Sequence, residues 1–363
     1  MKPGGVRKRF IVIVVLAVLA VPAGAFTAAD TEGGIGPYPP LSVIYDQIRA
    51  IAQAHPDLVK LEVIGKSVED RPLYALHLGR QDGKTRPEAL IFANIHAEEA
   101  ISSQVALAVA KRLGDDDGKD PWISSLLDQT DFWIIPMLNP DGYQRVISTK
   151  GKGGKIGGRR NAHGVDLNRN FPVVPGAKSR HPLAGNHRPN SNYYMGPSPL
   201  SEPETRALSD LIKAHHFYVS ISGHSVAGKF LYPYCHSKAP APDRPDFIKV
   251  GEALVARQPI WKYQVENSYG WYPTLGDPDD YNYMQNGIMA FTVEHGRVGH
   301  NLRYALIHPP LVFWVANPHD LERWIENDRD AILAAVAQAL AITHGVPKNP
   351  ADWRATEKAR PGP

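Results

Sequence analysis

Apolar and polar positions along the chain fall into short runs that change period repeatedly. From Ala89 to Ile95 the chain is apolar except for Asn94 and is bounded by Arg86-Pro87, which predicts a buried strand. After Glu99, residues Ile101, Val105, Leu107, Ala108 and Leu113 recur at helical spacing as far as Gly114, which predicts a helix. The same alternation continues along the chain. Helices are predicted over 42–54, 122–127, 202–215, 247–256 and 318–343, and strands over 59–64, 73–78, 132–137, 217–222 and 288–293. Strands that alternate with helices predict one α/β domain, with helices covering both faces of a central sheet. No internal repeat or dividing linker interrupts it.

Two segments break the pattern. Residues Lys150 to Arg160 are rich in glycine and positive charge but fail the phosphate-loop pattern, so a flexible surface loop is expected. Pro172 to Met195 is a long polar stretch, of the kind compact domains use for function.

Candidate chemistry collects where predicted strands end. His96 follows the apolar run and Glu99 opens the helix; His224 follows the β-rich run Phe217 to Ser222; Glu294 closes the run Ile288 to Val293. With 15 histidines in the chain, one His-x-x-Glu means little. Three strand ends carrying zinc-compatible side chains mean more, because ligands gather at the carboxyl ends of strands in open α/β sheets. A catalytic zinc needs three protein ligands and an open position, and hydrolysis needs a carboxylate beside the water. His96, Glu99 and His224 supply the first set, and Glu294 the second.

Composition sets outer limits. A chain of 363 residues, 43% hydrophobic and 21% charged, is globular and long enough for a large core. Lys2, Arg7, Lys8 and Arg9, the apolar stretch Phe10 to Val21 and Ala23-Gly24-Ala25 read as a secretory signal peptide over residues 1–25. That stretch lacks the ~20 residues of a membrane span. Taking its four positive charges away moves the formal balance from +3 to −1, so no nucleic-acid or membrane-surface partner is expected. Cys235 is the only cysteine, so export brings no disulfide framework. The expected organisation is a short segment over 26–37, a catalytic domain over 38–345 and a flexible tail over 346–363.

The stretch Gly164-Val165-Asp166-Leu167-Asn168-Arg169-Asn170-Phe171-Pro172 carries a resemblance. The chain resembles the zinc carboxypeptidases related to pancreatic carboxypeptidases A and B, together with bacterial murein peptide amidases of the same fold. Its landmarks stand in family order between Tyr38 and Ile342: Ile64-Gly65-Lys66-Ser67 before Arg71-Pro72, His96-Ala97-Glu98-Glu99, Asn139-Pro140-Asp141-Gly142, the stretch above, Ser201-Glu202-Pro203-Glu204-Thr205, Gly223-His224-Ser225 and Phe291-Thr292-Val293-Glu294.

The resemblance implies a single domain with a mixed central β-sheet. It implies one Zn2+ held by His96, Glu99 and His224, with Glu294 as general base. Arg159 matches the family's oxyanion arginine, with Arg160 as its rival. Asn168 and Arg169 match the pair that grips the substrate's free α-carboxylate, and Tyr272 the tyrosine that closes over the substrate. Asp279 falls where the pocket for the departing side chain is lined, which favours Lys, Arg or the amino group of diaminopimelate. A solvated acidic loop is the alternative for Gly276 to Asp280. One departure stands out: Glu98 replaces an arginine that pancreatic members use to hold peptide carbonyls, and murein peptide amidases also carry an acidic residue there.

The expected function is a secreted or periplasmic zinc metallocarboxypeptidase. It would act as a monomer on a peptide or murein peptide with a free carboxylate. Alternatives are a murein peptide amidase cutting D-glutamyl–diaminopimelate bonds, a deacylase of small amino acids, and an inactive zinc-containing binding module. The last has no need of Glu294.

Overall fold

The computed structural model describes residues 33–348 apart from 300 and 309. The expected signal peptide and residues 349–363 of the expected tail lie outside the described residues.

An eight-stranded sheet forms the centre, in the order β1-β2-β4-β3-β5-β8-β6-β7. The strands are β1 (Val59–Lys66), β2 (Pro72–Leu78), β3 (Glu88–Ala93), β4 (Asp131–Ile135), β5 (Phe217–Ser225), β6 (Lys229–Tyr232), β7 (Gln264–Asn267) and β8 (Met289–His295). The middle strands β4, β3, β5 and β8 are mutually parallel, whereas β1, β2 and β6 add antiparallel pairings, so the sheet is mixed as expected.

Period-two alternation sorts side chains between two cores. From β3, Ala89, Ile91 and Ala93 face one core, and Leu90 and Phe92 the other. The first core packs α1 (Leu41–Ala54), α2 (Ala100–Asp115), α3 (Pro121–Gln129) and α4 (Pro140–Ser148) with later helices α6 (Arg244–Arg257) and α11 (Leu321–Thr343). The second packs α5 (Pro203–Ala214) and α8 (Pro278–Asn286) with Leu167 and Phe171. Three short helices complete the chain: α7 (Ser268–Trp271), α9 (Leu302–Ile307) and α10 (Leu311–Ala316). No helix among the described residues is long and apolar enough to cross a membrane.

Five helices were absent from the sequence expectation: α7, α9 and α10 are only four to six residues long, and α4 and α8 open on residues that also suit turns. In α4, the Asn139 side chain accepts from Gly142 N at 3.1 Å and Pro140 occupies the first turn. In α8, Asp277 caps in the same way, accepting from Asp280 N at 2.9 Å. Strands β6 and β7 were also missed, being only four residues each. The segment 150–160 is only partly the surface loop expected: Lys150, Lys152, Gly154 and Lys155 are exposed, whereas Gly151, Gly153, Gly158 and Arg160 are buried. Arg145 Nε holds it by donating to Gly153 O at 3.2 Å and Gly157 O at 3.3 Å. The start of the expected tail is tied down as well, with Lys348 N donating to Gly287 O at 2.8 Å.

Several landmarks outside the site form a buried polar scaffold. Asp141 accepts from Ser67 Oγ at 2.6 Å, Glu69 N at 2.9 Å and Arg71 Nη1 at 2.6 Å. Glu204, wholly buried on α5, accepts from Val68 N and from Asn161 Nδ2. Burial pushes its carboxyl from the ordinary 4.5 up to about 7. Such a group binds its proton more tightly when folded. Its contribution is therefore fully present below pH 4.5 and is lost as pH rises to about 7. Glu204→Gln is expected to raise stability at pH 8 by on the order of 2 kcal/mol and to leave it unchanged at pH 4. Urea unfolding at the two pH values checks this.

Candidate metal centre and cleft

Strand β3 has β4 on one flank and β5 on the other, and the chain reaches β5 only after crossing from β4. The carboxyl ends of β3 and β5 therefore flank a point where strand order reverses, which is where open α/β sheets leave a crevice. His96 lies three residues beyond β3, and His224 is on β5. Parallel pairing of β5 with β8 sets His224 directly opposite Glu294.

The turn carrying His96 is fixed by its own backbone. Asn94 adopts φ 56° and its N–H donates to Ser102 Oγ at 3.0 Å. Its side-chain amide reaches Glu99 O, and Ser102 Oγ donates to the same carbonyl at 2.7 Å. Asn139 Nδ2 donates to Ile95 O at 3.2 Å.

His96 Nδ1 lies 3.0 Å from Glu99 Oε1 and 3.0 Å from His224 Nδ1, which in turn lies 3.0 Å from Glu99 Oε2. Two ring nitrogens and a carboxylate thus converge on one point, in groups 2%, 2% and 6% exposed. A pair of imidazole nitrogens facing each other at that distance has at most one proton to share, so at least one lone pair points at the other nitrogen; a cation between them removes that conflict. The donor set, two nitrogens and one carboxylate oxygen, is one that zinc takes in catalytic sites. The residues present therefore fit the ion. A second group, Cys235, Asp277 and Asp280, also lies close together, but its carboxylates are already met by backbone N–H groups, Thr274 Oγ1 and His236.

Behind the ligands stands Asp166, which sequence reasoning quoted in a motif without giving it a role. It is fully buried, with Oδ1 3.2 Å from His96 Nε2 and Oδ2 accepting from Arg159 Nε at 2.8 Å. Asp166 also accepts from Asn168 N at 3.1 Å. Despite its burial, Arg159 and His96 hold its carboxyl well below the usual carboxylate range. The rival arginine is engaged elsewhere: Arg160 Nη1 donates to the carbonyls of Gly164, Pro189 and Ser191. Arg159 instead keeps a buried Nη2 without a protein partner, with Asp166, Tyr272 and Glu99 near it.

Glu294 is 5% exposed, and its Oε2 has no partner. Burial, and then Glu99 beside it, push its carboxyl well above the ordinary range. Burial acts on Glu99 in the same direction, but His96 and His224 outweigh it and hold Glu99 low.

Arg169 is wholly buried. Nε and Nη2 donate to Leu183 O at 3.3 and 3.0 Å, and Nη1 donates to Asn168 O at 2.7 Å. Among the described residues no carboxylate reaches it at ion-pair distance. Gly276 lets this segment pass: at φ +70° its absent Cβ would stand 2.5 Å from Arg169 O. Tyr272 stacks on His181 at 6.0 Å and has Arg169, Arg159 and Glu294 as charged neighbours. Asp279 is not in a solvated acidic loop. It lies in the first turn of α8, 3% exposed, accepting from Thr292 Oγ1 at 2.7 Å while its Oδ1 has no partner. Thr292 lies two residues before Glu294, on the same face of β8. His96, Glu99, His224 and Glu294 thus lie together with Arg159 and Tyr272 near them, while Arg169 is buried against Leu183 O and Asp279 lies on α8 against Thr292.

A family model described as zinc carboxypeptidase matches residues 44–324. The chain belongs to the zinc carboxypeptidase family. It is 34% identical over 271 residues to mouse carboxypeptidase A4, covering 71% of this chain and 62% of that one. Against mouse carboxypeptidase A2 it is 34% identical over 229 residues, covering 61% and 52%. The chain therefore spans between about half and two thirds of the length of these curated relatives. Among solved structures, bovine thrombin-activatable fibrinolysis inhibitor in complex with tick carboxypeptidase inhibitor superposes with a TM-score of 0.69 at 27% identity, covering 85% of this chain and 97% of that one.

If Asp166 orients the His96 ring, Asp166→Asn is expected to weaken zinc retention about ten- to a hundredfold. Competition against a coloured chelator measures this; unchanged retention contradicts the geometry.

Proposed function

We propose that this protein is a metallocarboxypeptidase that hydrolyses the amide bond before a C-terminal residue, with Lys and Arg preferred. The observation that carries the reading is Arg169. The guanidinium is wholly buried and hydrogen-bonded to carbonyls, with Asp166 as a charged neighbour and no carboxylate at ion-pair distance among the described residues, so it can still take a carboxylate partner. A substrate's terminal carboxylate supplies that partner through a two-pronged contact shared with Asn168. Because Arg169 is covered, the segment around Leu183 gives up its carbonyl contacts when substrate enters.

His96, Glu99 and His224 hold the zinc in this reading. Zinc, when bound, supplies a Lewis acid that acidifies water and polarises the scissile carbonyl. Glu294 takes a proton from the attacking water and returns it to the leaving nitrogen, a task suited to a carboxylate with a raised proton affinity. Arg159 Nη2 donates to the oxygen on which negative charge develops. Tyr272 closes over the departing residue. Asp279, with one oxygen unpartnered, receives its ammonium or guanidinium group. Residues 1–25 export the protein, so its substrates are met outside the cytoplasm, and the chain acts as a monomer with one zinc ion.

A second reading, cleavage of D-glutamyl–diaminopimelate bonds in murein peptides, rests on Glu98 in place of the pancreatic arginine. Asp279 would then receive the diaminopimelate amino group.

Glu294→Gln is expected to keep zinc yet lose at least about a thousandfold in kcat. Near-normal turnover with zinc bound defeats the mechanism. Asp279→Leu is expected to lower kcat/KM on Lys and Arg termini by about tenfold or more relative to Phe and Leu termini. Parallel loss on all four removes Asp279 from the pocket.

A further inference from the structure

His295 is a polar residue in an apolar setting. It follows Glu294 on β8, so its side chain leaves the opposite face of the strand and enters the larger core on the side of Phe291 and Val293. The ring is 1% exposed, as is Asp328 of α11, and His295 Nδ1 lies 2.7 Å from Asp328 Oδ2. Facing a carboxylate, Nδ1 carries the proton. Burying such groups is costly, and for stability alone a well-packed apolar pair serves as well or better.

What the pair holds is the chain immediately after Glu294. Tyr263 Oη donates to Asp328 Oδ2 at 2.7 Å and accepts from Gly296 N at 2.9 Å, where Gly296, with φ 85°, turns the chain out of the strand. Asp328 Oδ1 accepts from Gln258 Nε2 at 3.1 Å and from Asn327 Nδ2 at 2.9 Å. Both amides are fixed in turn. Gln258 Oε1 accepts from Tyr263 N at 2.8 Å, and Asn327 Oδ1 accepts from Ile260 N at 3.0 Å and Trp261 N at 2.8 Å. Helix α11, the 258–263 connection and the end of β8 are thus tied by one network in which each oxygen of Asp328 accepts twice. A buried network satisfied in this way rigidifies the elements it joins.

Glu294 depends on this because its own carboxylate is weakly held. Its Oε2 has no protein partner, so the direction of the side chain follows from its backbone. The Glu294 carbonyl accepts from Gly228 N at 2.9 Å, and the next two residues are held by Asp328 and Tyr263. The His295 ring also reaches across to β5, where a Cβ on Gly223 would stand 3.4 Å from its Nε2, beside His224.

We infer that Asp328 and Tyr263 are positioning residues for Glu294: through His295 and Gly296 they fix the end of β8 and so the place of its carboxylate opposite His224. This rests on the reading of Glu294 as general base.

The test compares zinc-loaded full-length native protein with Asp328→Asn and Tyr263→Phe. Tyr218→Phe is the control, since it deletes a hydroxyl bonded to Thr130 from the same core at the other end of β5. On a peptide ending in Lys, both network variants are expected to lose about ten- to a hundredfold in kcat, with KM and zinc content unchanged, and Tyr218→Phe less than about twofold. Should Asp328→Asn fail to fold, Tyr263→Phe, which loses one hydroxyl, decides alone. Unchanged kcat in a folded network variant, a loss confined to KM, or an equal loss in Tyr218→Phe overturns the inference. Crystal structures of the same proteins give a readout that does not pass through turnover: the Glu294 carboxylate moves by about 1 Å in the network variants and stays in place in Tyr218→Phe. If the native protein hydrolyses no peptide, the carboxypeptidase reading falls, and that displacement still decides what the network does. An unmoved carboxylate overturns the inference whatever the turnover.

Discussion

The structure depends on the parallel register of β5 and β8, which sets His224 opposite Glu294. Side chains along a strand alternate between faces, so a slip of one residue would turn one of the pair into the other core. The register is held by the apolar side chains that share β5 and β8 with the site. Val219, Ile221, Met289, Phe291 and Val293 all lie in the larger core, and Phe291 stacks on Phe230 at 4.7 Å. Packing on one face thus fixes chemistry on the other. The third strand end enters through β3, whose last residue pairs with Gly223.

Charge is managed around this frame by a small number of buried partners. Asp166 joins His96 to Arg159, so the orientation of a candidate metal ligand and the position of a buried arginine are set by one carboxylate. Two groups are left without a direct partner of opposite charge: Arg169 donates to carbonyls, and Asp279 has one satisfied oxygen. Folding retains these at a cost, and binding can recover it when the ligand carries the missing charge. A peptide with a free C-terminus and a basic last residue carries both.

Much of this was legible in the chain. Apolar runs ending at His96, His224 and Glu294 marked the strands and their shared edge, because a buried parallel strand has few ways to be written. The ordered motifs marked the rest of the cleft. Less legible were features that depend on contacts across long separations. Asn317 fixes Glu98 from 219 residues away, and nothing local marks it. Leu183 acts through its carbonyl, which any residue supplies. Helices α4 and α8 were hidden because Asn139 and Asp277, residue types that also suit turns, cap them. The separation of Arg159 from Arg160 needed the fold, since adjacent residues outside regular structure point in directions that spacing does not reveal. Ser67, Asp141 and Glu204, which stood in the sequence as landmarks without a role, form a buried polar scaffold.

The central claim is that a buried arginine hydrogen-bonded to carbonyls alone makes this zinc hydrolase an exopeptidase. It is tested most directly by comparing a peptide ending in a free carboxylate with the same peptide ending in a carboxamide, both given to the zinc-loaded protein. Loss of a charge-assisted two-pronged contact predicts that the acid is cut at least on the order of a hundredfold faster than the amide. Equal cleavage of the two, or cleavage at internal bonds of both, would contradict the account.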